Sequence, residues 1–342
     1  MLKVGLVGLG FMGSSHLSVY KQLMDEGYPV KLVAICDVNE EKRTGKLTQG
    51  NIDVSDKSID FTEFSFYTNM EEMIENEELD YVDICLPTYL HAPYAIKAME
   101  KGLHVFCEKP MAISTKACQE MIDARNKYNR YLMIGQTLRF FPSYQYIKKI
   151  IDDKTYGELN EVALFRGGTT PLWSWDNWLL DKERSGGCLL DQHIHDVDTI
   201  NWLLGTPKAV YTNGKVYFDG SGYDMVSTNY IFDNKVVNAQ DNWTINNDDF
   251  GFEMRFRFSF KKGTIILENG KLTDYPNNKK SFAPQIDERS GYYLEIKHFA
   301  QSILDDVDPQ LACPLESTME TIRIAEAEIV SADTNKINFL DK

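Results

Sequence analysis

The sequence predicts an α/β protein: a doubly wound parallel sheet, then an α+β domain with a large, mostly antiparallel sheet. Three observations carry this expectation. A glycine-rich turn joins an apolar run of strand length to a helical pattern between Lys3 and Tyr20. Short apolar runs then alternate with helical stretches as far as residue 137. Beyond it the runs lengthen and alternate with period two.

The opening run, Lys3 to Val7, enters the turn Gly8-Leu9-Gly10-Phe11-Met12-Gly13. In a G-x-G-x-x-G turn the first glycine makes the tight bend, the second admits a pyrophosphate to the backbone, and the third lets the helix pack on its strand. The helix N-terminus then offers amide donors and a positive dipole end to phosphates. The next run, Lys31 to Cys36, ends in Asp37, 24 residues after Gly13. That is near the roughly 20-residue spacing at which a carboxylate meets a dinucleotide ribose. The polar stretch 40–49 is helix-compatible, and 50–65 reads as loop. Phe66-Tyr67 is a short strand, and Asn69 caps a helix over Met70–Glu77. Strands Tyr81–Leu86 and His104–Cys107 flank a helix from His91 to Lys101 that Gly102 ends. A helix from Ser114 to Asn129 leads to strand Tyr131–Gln136. This rhythm gives a parallel sheet covered on both faces, a dinucleotide-binding domain over residues 1–137.

Residues 138–342 form the second domain. A helix over Ser143–Asp152 precedes runs at Asn160–Arg166, Ala209–Phe218, Met225–Phe232, Lys235–Trp243, Phe252–Phe260 and Thr264–Glu268. The alternation from Glu253 to Phe260 marks one buried and one polar face. A broad sheet with an open face invites a second subunit, so a homo-oligomer is expected. A helix over 316–334 closes the chain.

With 43 % hydrophobic residues the chain can bury a sizeable core, and its 342 residues suggest two domains. A net charge of −15 opposes nucleic acid or an anionic membrane as partner, since both are polyanions. No apolar run approaches the ~20 residues of a membrane span, and Met1 leads straight into a strand, so a cytoplasmic setting is expected. The six cysteines form no C-x-x-C pair and read as reduced core residues, with no metal site expected.

Ligands of open parallel sheets bind at the carboxyl ends of strands. Pro87-Thr88, Glu108-Lys109-Pro110 and Gln136 lie there. Lys109 is either a solvated charge or an ammonium turned into the cleft, where it could steady an oxyanion. In the run Gly186 to Asp198, Asp191, His195 and Asp198 are spaced to share a helical face. An acid one turn before a histidine suits a general base, although the trio could also hold a divalent ion or simply be solvated. Trp173, Trp175 and Trp178 lie just upstream, with flat faces suited to the C–H faces of a sugar or to core packing. Arg139 either lies at the surface or reaches substrate hydroxyls.

Together Gly8-x-Gly10-x-x-Gly13, Pro87-Thr88-x-x-His91, Glu108-Lys109-Pro110 and Gly186-Gly187…Asp191-x-x-x-His195-x-x-Asp198 resemble the Gfo/Idh/MocA oxidoreductases, the family of glucose–fructose oxidoreductase and inositol 2-dehydrogenase. The resemblance covers essentially the whole chain. It implies a Rossmann domain, a C-terminal sheet used to form a homodimer or homotetramer, and NAD(P)-dependent hydride transfer at a hydroxyl carbon of a sugar, inositol or related polyol. It implies Lys109, Asp191 and His195 as catalytic residues, and Arg139 and Asp198 beside the substrate; the flat face of Trp178 adds it to that set. Gly8, Gly10, Phe11, Met12, Gly13, Asp37, Pro87, Thr88, His91, Glu108, Lys109 and Gln136 would bind cofactor. Asp37 favours NAD over NADP, because a carboxylate repels a 2′-phosphate. His193 departs from a frequent family glycine and would narrow the pocket. The same fold also serves a redox-neutral, NAD-dependent glycosidase and a non-catalytic cofactor-binding sensor.

Overall fold

The short apolar runs of the first half pair into one parallel sheet in the computed structural model, which describes residues 1–45, 61–247 and 249–340. The chain divides into two units. The first comprises Met1–Thr137, Trp173–Asp176 and Tyr292–Met319; the second holds Leu138–Leu172, Asn177–Gly291 and the chain from Glu320.

In the first unit, β1 (Leu2–Val7), α1 (Phe11–Asp25), β2 (Val30–Cys36), β3 (Ser65–Tyr67), α2 (Met70–Asn76), β4 (Tyr81–Ile84), α3 (His91–Glu100), β5 (His104–Glu108), α4 (Thr115–Tyr128) and β6 (Leu132–Gly135) follow in order. The strands other than β3 are mostly buried apolar runs, and local capping sets the helix ends. Asn69 Oδ1 accepts the Glu71 and Glu72 amides at 2.8 and 3.1 Å, and Ser114 caps α4 by accepting from Ala117. The strand order β3-β2-β1-β4-β5-β6 places the topological switch between β1 and β4. The polar stretch after Asp37 forms a 3₁₀ turn over Glu40–Thr44. The loop expected over 50–65 lies mostly outside the described residues, apart from a 3₁₀ turn at Phe61–Glu63.

The second unit adds α5 (Pro142–Asp152), β7 (Leu159–Gly168), α6 (Lys182–Ser185), α7 (Gly187–Asp191), α8 (Ile194–Leu204), β8 (Ala209–Lys215), β9 (Met225–Ile231), β10 (Val236–Asn242), β11 (Phe252–Phe260), β12 (Gly263–Glu268) and β13 (Lys271–Pro276). The chain then gives α9 (Gly291–Leu304), counted with the first unit but for its first residue, then α10 (Leu315–Thr334) and β14 (Asn338–Phe339). The eight strands run β13-β12-β11-β7-β10-β9-β8-β14, antiparallel at every junction but β7–β10, which is parallel. Alternation decides the faces: Phe256, Phe258 and Phe260 are buried, whereas Arg255 and Arg257 point out. Val236 and Ile231 stay exposed on the outward side.

The structure departs from expectation at four places. Strand β8 stops at Lys215, because Asp224 Oδ2 takes the amides of Tyr217 and Phe218. Strands β13 and β14 are too short and polar to carry a period-two signal. Helix α9 was missed, although Tyr293, Ile296, Phe299 and Ala300, which it buries, recur at helical spacing. Residues 173–176 and 292–319 count with the first unit rather than with residues 138–342.

Candidate active site

The dinucleotide turn has the geometry its glycines require. Gly8 has φ +94°, and a Cβ there would lie 2.5 Å from the Cys85 carbonyl oxygen. A Cβ at Gly13 would fall 1.9 Å from the oxygen of Gly8, so helix and turn touch backbone to backbone. At Gly10 a Cβ would meet nothing within 4 Å, so this side of the turn is open for a ligand. Helix α1 starts at Phe11 with no side-chain cap, leaving first-turn amides for phosphate oxygens. Phe11 packs its ring 5.2 Å from that of Trp173, with the planes tilted by 57°, whereas Met12 and Gly13 continue the helix. The residues present fit a bound dinucleotide.

Asp37 follows β2 and is nearly buried. Its carboxylate accepts from the Leu9 amide at 2.7 Å, the Asn39 amide at 2.9 Å and the Lys42 ammonium at 2.8 Å. The acid therefore braces the turn while standing beside it. Pro87 and Thr88 follow β4. His91 is buried with its ring nitrogens 2.7 Å from the carbonyl oxygens of Pro110 and Leu86, and burial lowers its pKa. Gln136, after β6, is buried.

Lys109 follows β5, partly exposed, before a cis peptide bond to Pro110. Its main chain is clamped by the preceding side chain: Glu108 Oε2 accepts the Lys109 amide at 2.9 Å, while Oε1 faces His16 Nε2 at 3.0 Å. On its other side His16 Nδ1 meets Asp83 Oδ2 at 2.9 Å and Cys85 Sγ at 3.2 Å. Tyr20 donates to Asp83 at 2.9 Å. Glu295 of α9 brings a carboxylate oxygen within 4.8 Å of His16 and Glu108. Sequence reasoning missed this buried cluster.

In the second unit, Asp191 ends α7 and His195 lies in the first turn of α8, both partly exposed. The single helical face expected for them is interrupted at Gln192-His193, and Asp198 turns inward. Asp198 accepts from Arg139 in a two-pronged pair, Nε to Oδ2 at 2.8 Å and a terminal nitrogen to Oδ1 at 2.7 Å, with Thr321 added at 2.9 Å. Both partners are 1 % exposed, so this two-pronged pair is buried. Trp178 is half-buried in a 3₁₀ turn, and Trp175 is exposed. His193 lies in the core instead of narrowing a pocket: its Nε2 is 3.1 Å from Glu328 and 3.2 Å from the Tyr230 hydroxyl. Burial opposes its charge, but Glu328 raises its pKa.

Sequence profiles of this architecture match both units: "Oxidoreductase family, NAD-binding Rossmann fold" over residues 2–136, and "GFO/IDH/MocA C-terminal domain" over 144–266. The chain belongs to the Gfo/Idh/MocA oxidoreductase family. It is 30 % identical over 66 % of its length to 2,7-anhydro-N-acetylneuraminate hydratase of Mediterraneibacter gnavus, and 28 % identical over 64 % to inositol 2-dehydrogenase of Salmonella typhimurium. The match spans 57 and 58 % of those two proteins' own lengths. A levoglucosan dehydrogenase solved with NADH and levoglucosan has the same fold, with a TM-score of 0.83, 21 % identity and full coverage of both chains. As in the rest of this Gfo/Idh/MocA family, the first unit is an NAD-binding Rossmann domain. No described helix is long and apolar enough to cross a membrane.

Proposed function

We propose that this protein is an NAD-dependent dehydrogenase acting on a hydroxyl carbon of a sugar, inositol or related polyol. The observation that carries the reading is Lys109, a partly exposed ammonium at the carboxyl end of β5 in an NAD-binding fold. Asp191 orients His195, which takes the proton of the substrate hydroxyl. Lys109 stabilises the alkoxide that develops. NAD, when bound, accepts the hydride from the same carbon. Asp37 would accept from the ribose 2′-hydroxyl of bound NAD and disfavour a 2′-phosphate. Trp178 offers a flat face to the sugar, while the Arg139–Asp198 pair holds one wall of the substrate site rigid.

The test is turnover of a panel of sugars and polyols with NAD and NADP, followed through NADH absorbance. Lys109→Met and His195→Ala should each lower kcat by about 10²–10⁴-fold. Near-normal turnover in either variant removes that residue from the mechanism. The hydratase among the relatives favours a second reading, a redox-neutral reaction, which would show as product without net NADH.

We also infer that the chain forms a homodimer or homotetramer through the outward face of the eight-stranded sheet, where Val236 and Ile231 are 67 and 40 % exposed. Sedimentation equilibrium at micromolar concentration should give a multiple of 39.3 kDa; a monomer removes the inference. A cytoplasmic setting is supported by the thiol chemistry of the core, where Cys188 Sγ–H donates to Asp241 at 3.1 Å.

A further inference from the structure

We propose that His16 is a positioning residue for Lys109. It acts as a buried imidazolium that fixes Glu108, and through Glu108 the main chain that carries the lysine. The proposal rests on the reading of Lys109 given above.

His16 lies on α1, three residues past Gly13, and is fully buried. A neutral imidazole has one N–H, yet both ring nitrogens of His16 face carboxylates: Nδ1 faces Asp83 at 2.9 and 3.1 Å, and Nε2 faces Glu108 at 3.0 Å. Only the doubly protonated ring donates to both. The charge is stabilised in place: burial alone would lower the pKa, but the Asp83 carboxylate carries it well above the ordinary histidine range. Glu108 is held ionised against burial by the hydrogen bond from His16. Glu295 is pushed the other way, by burial and then by the charge of Glu108. The ring also faces the Cys85 thiol, the Tyr20 hydroxyl behind Asp83, and the rings of Phe106 and Tyr292.

The geometry has a direction. Glu108 uses one oxygen for His16 and the other for the Lys109 amide, so its rotamer is fixed at both ends. Removing the imidazolium frees the carboxylate to turn, and the Lys109 main chain loses its clamp. Misplacing a catalytic group by about 1 Å can cost on the order of 10²-fold in rate with no loss of binding contacts. Asp83, Tyr20 and Tyr81 continue the chain of hydrogen bonds away from Lys109, with Tyr81 donating to Tyr20 at 3.2 Å. They support the ring without touching Glu108.

The experiment compares His16→Asn, Glu108→Gln, Tyr20→Phe and Lys109→Met in the full chain. It reads kcat, NADH dissociation by fluorescence, melting temperature and divalent metal content. His16→Asn and Glu108→Gln should each lower kcat by about 10- to 100-fold, while NADH Kd stays within about threefold. Tyr20→Phe breaks the same cluster beyond Asp83; it should lower the melting temperature and leave kcat unchanged. If His16→Asn does not fold, Glu108→Gln decides alone, because a glutamine has a single acceptor oxygen and cannot take both the Lys109 amide and His16. The proposal is overturned if kcat follows melting temperature equally in His16→Asn and Tyr20→Phe, or if both charge variants keep wild-type kcat. It is also overturned if the purified protein carries a stoichiometric divalent ion that His16→Asn loses, since the cluster would then be a metal site. Wild-type kcat in Lys109→Met would instead defeat the functional reading on which the proposal stands.

Discussion

Asp241, on β10, has its Oδ1 occupied by the Gln192 amide at 2.6 Å and the Cys188 thiol, and lies in the core of the second unit. Burial raises its pKa to about 7, with nearby His193 pulling the other way. An unfolded aspartate titrates near 4, so folding takes up a proton at this site between about pH 4 and 7. The cost is absent below pH 4, grows as pH rises, and is complete above about 7. Asp241→Asn should therefore gain melting temperature relative to wild type as pH goes from 5 to 8. A constant difference across that range would show that Asp241 is already ionised in the fold. Residues such as Lys109, Asp37 and the turn glycines were legible because strand ends and fixed spacings mark them. The His16 cluster was not legible: Asp83 and Glu108 lie 67 and 92 positions from His16, and no local period reveals that two strands and two helices converge there. Arg139 and Asp198 are a further case, since spacing places Asp198 on a helix but cannot say that an arginine 59 positions away takes both its oxygens.

At the scale of elements, legibility followed the strength of the period. Strand β11 was bounded correctly because Phe252–Phe260 alternates throughout, and α4 because Ser114 caps it and Asn129 closes it in the left-handed region. The parallel β7–β10 junction could not be read, because alternation fixes faces and not strand direction. The separation of α7 from α8 has a physical cause that periodicity hid. Gly186 and Gly187 at φ +78° and +71° start α7 only just before Asp191, and the amides of Gln192 and His193 both go to the Cys188 carbonyl. His193, helical in φ and ψ, then begins α8 and turns its ring to Glu328, so Asp191 and His195 sit on two short helices.

For the whole molecule, what the sequence could not supply is the return of the chain. Phe299 of α9 packs its ring 5.3 Å from Tyr81 and 5.6 Å from Phe106, on the central strands β4 and β5. Tyr293 donates to Glu26 at 2.5 Å, and Arg125 pairs with Asp308. The Rossmann unit thus borrows part of its core from a segment beyond the second sheet. A fragment of residues 1–137 should melt without a cooperative transition, and fusing residues 292–319 to it through a flexible linker should restore one. A sharp melt from the short fragment alone would refute the dependence.

The borrowed helix also sets a clock for biosynthesis. A ribosome finishes the last strand of the first sheet at Gly135, but Phe299 has still to be made. At about 5–20 residues per second, the nascent chain waits on the order of ten seconds or more with Tyr81 and Phe106 uncovered, an interval open to chaperones.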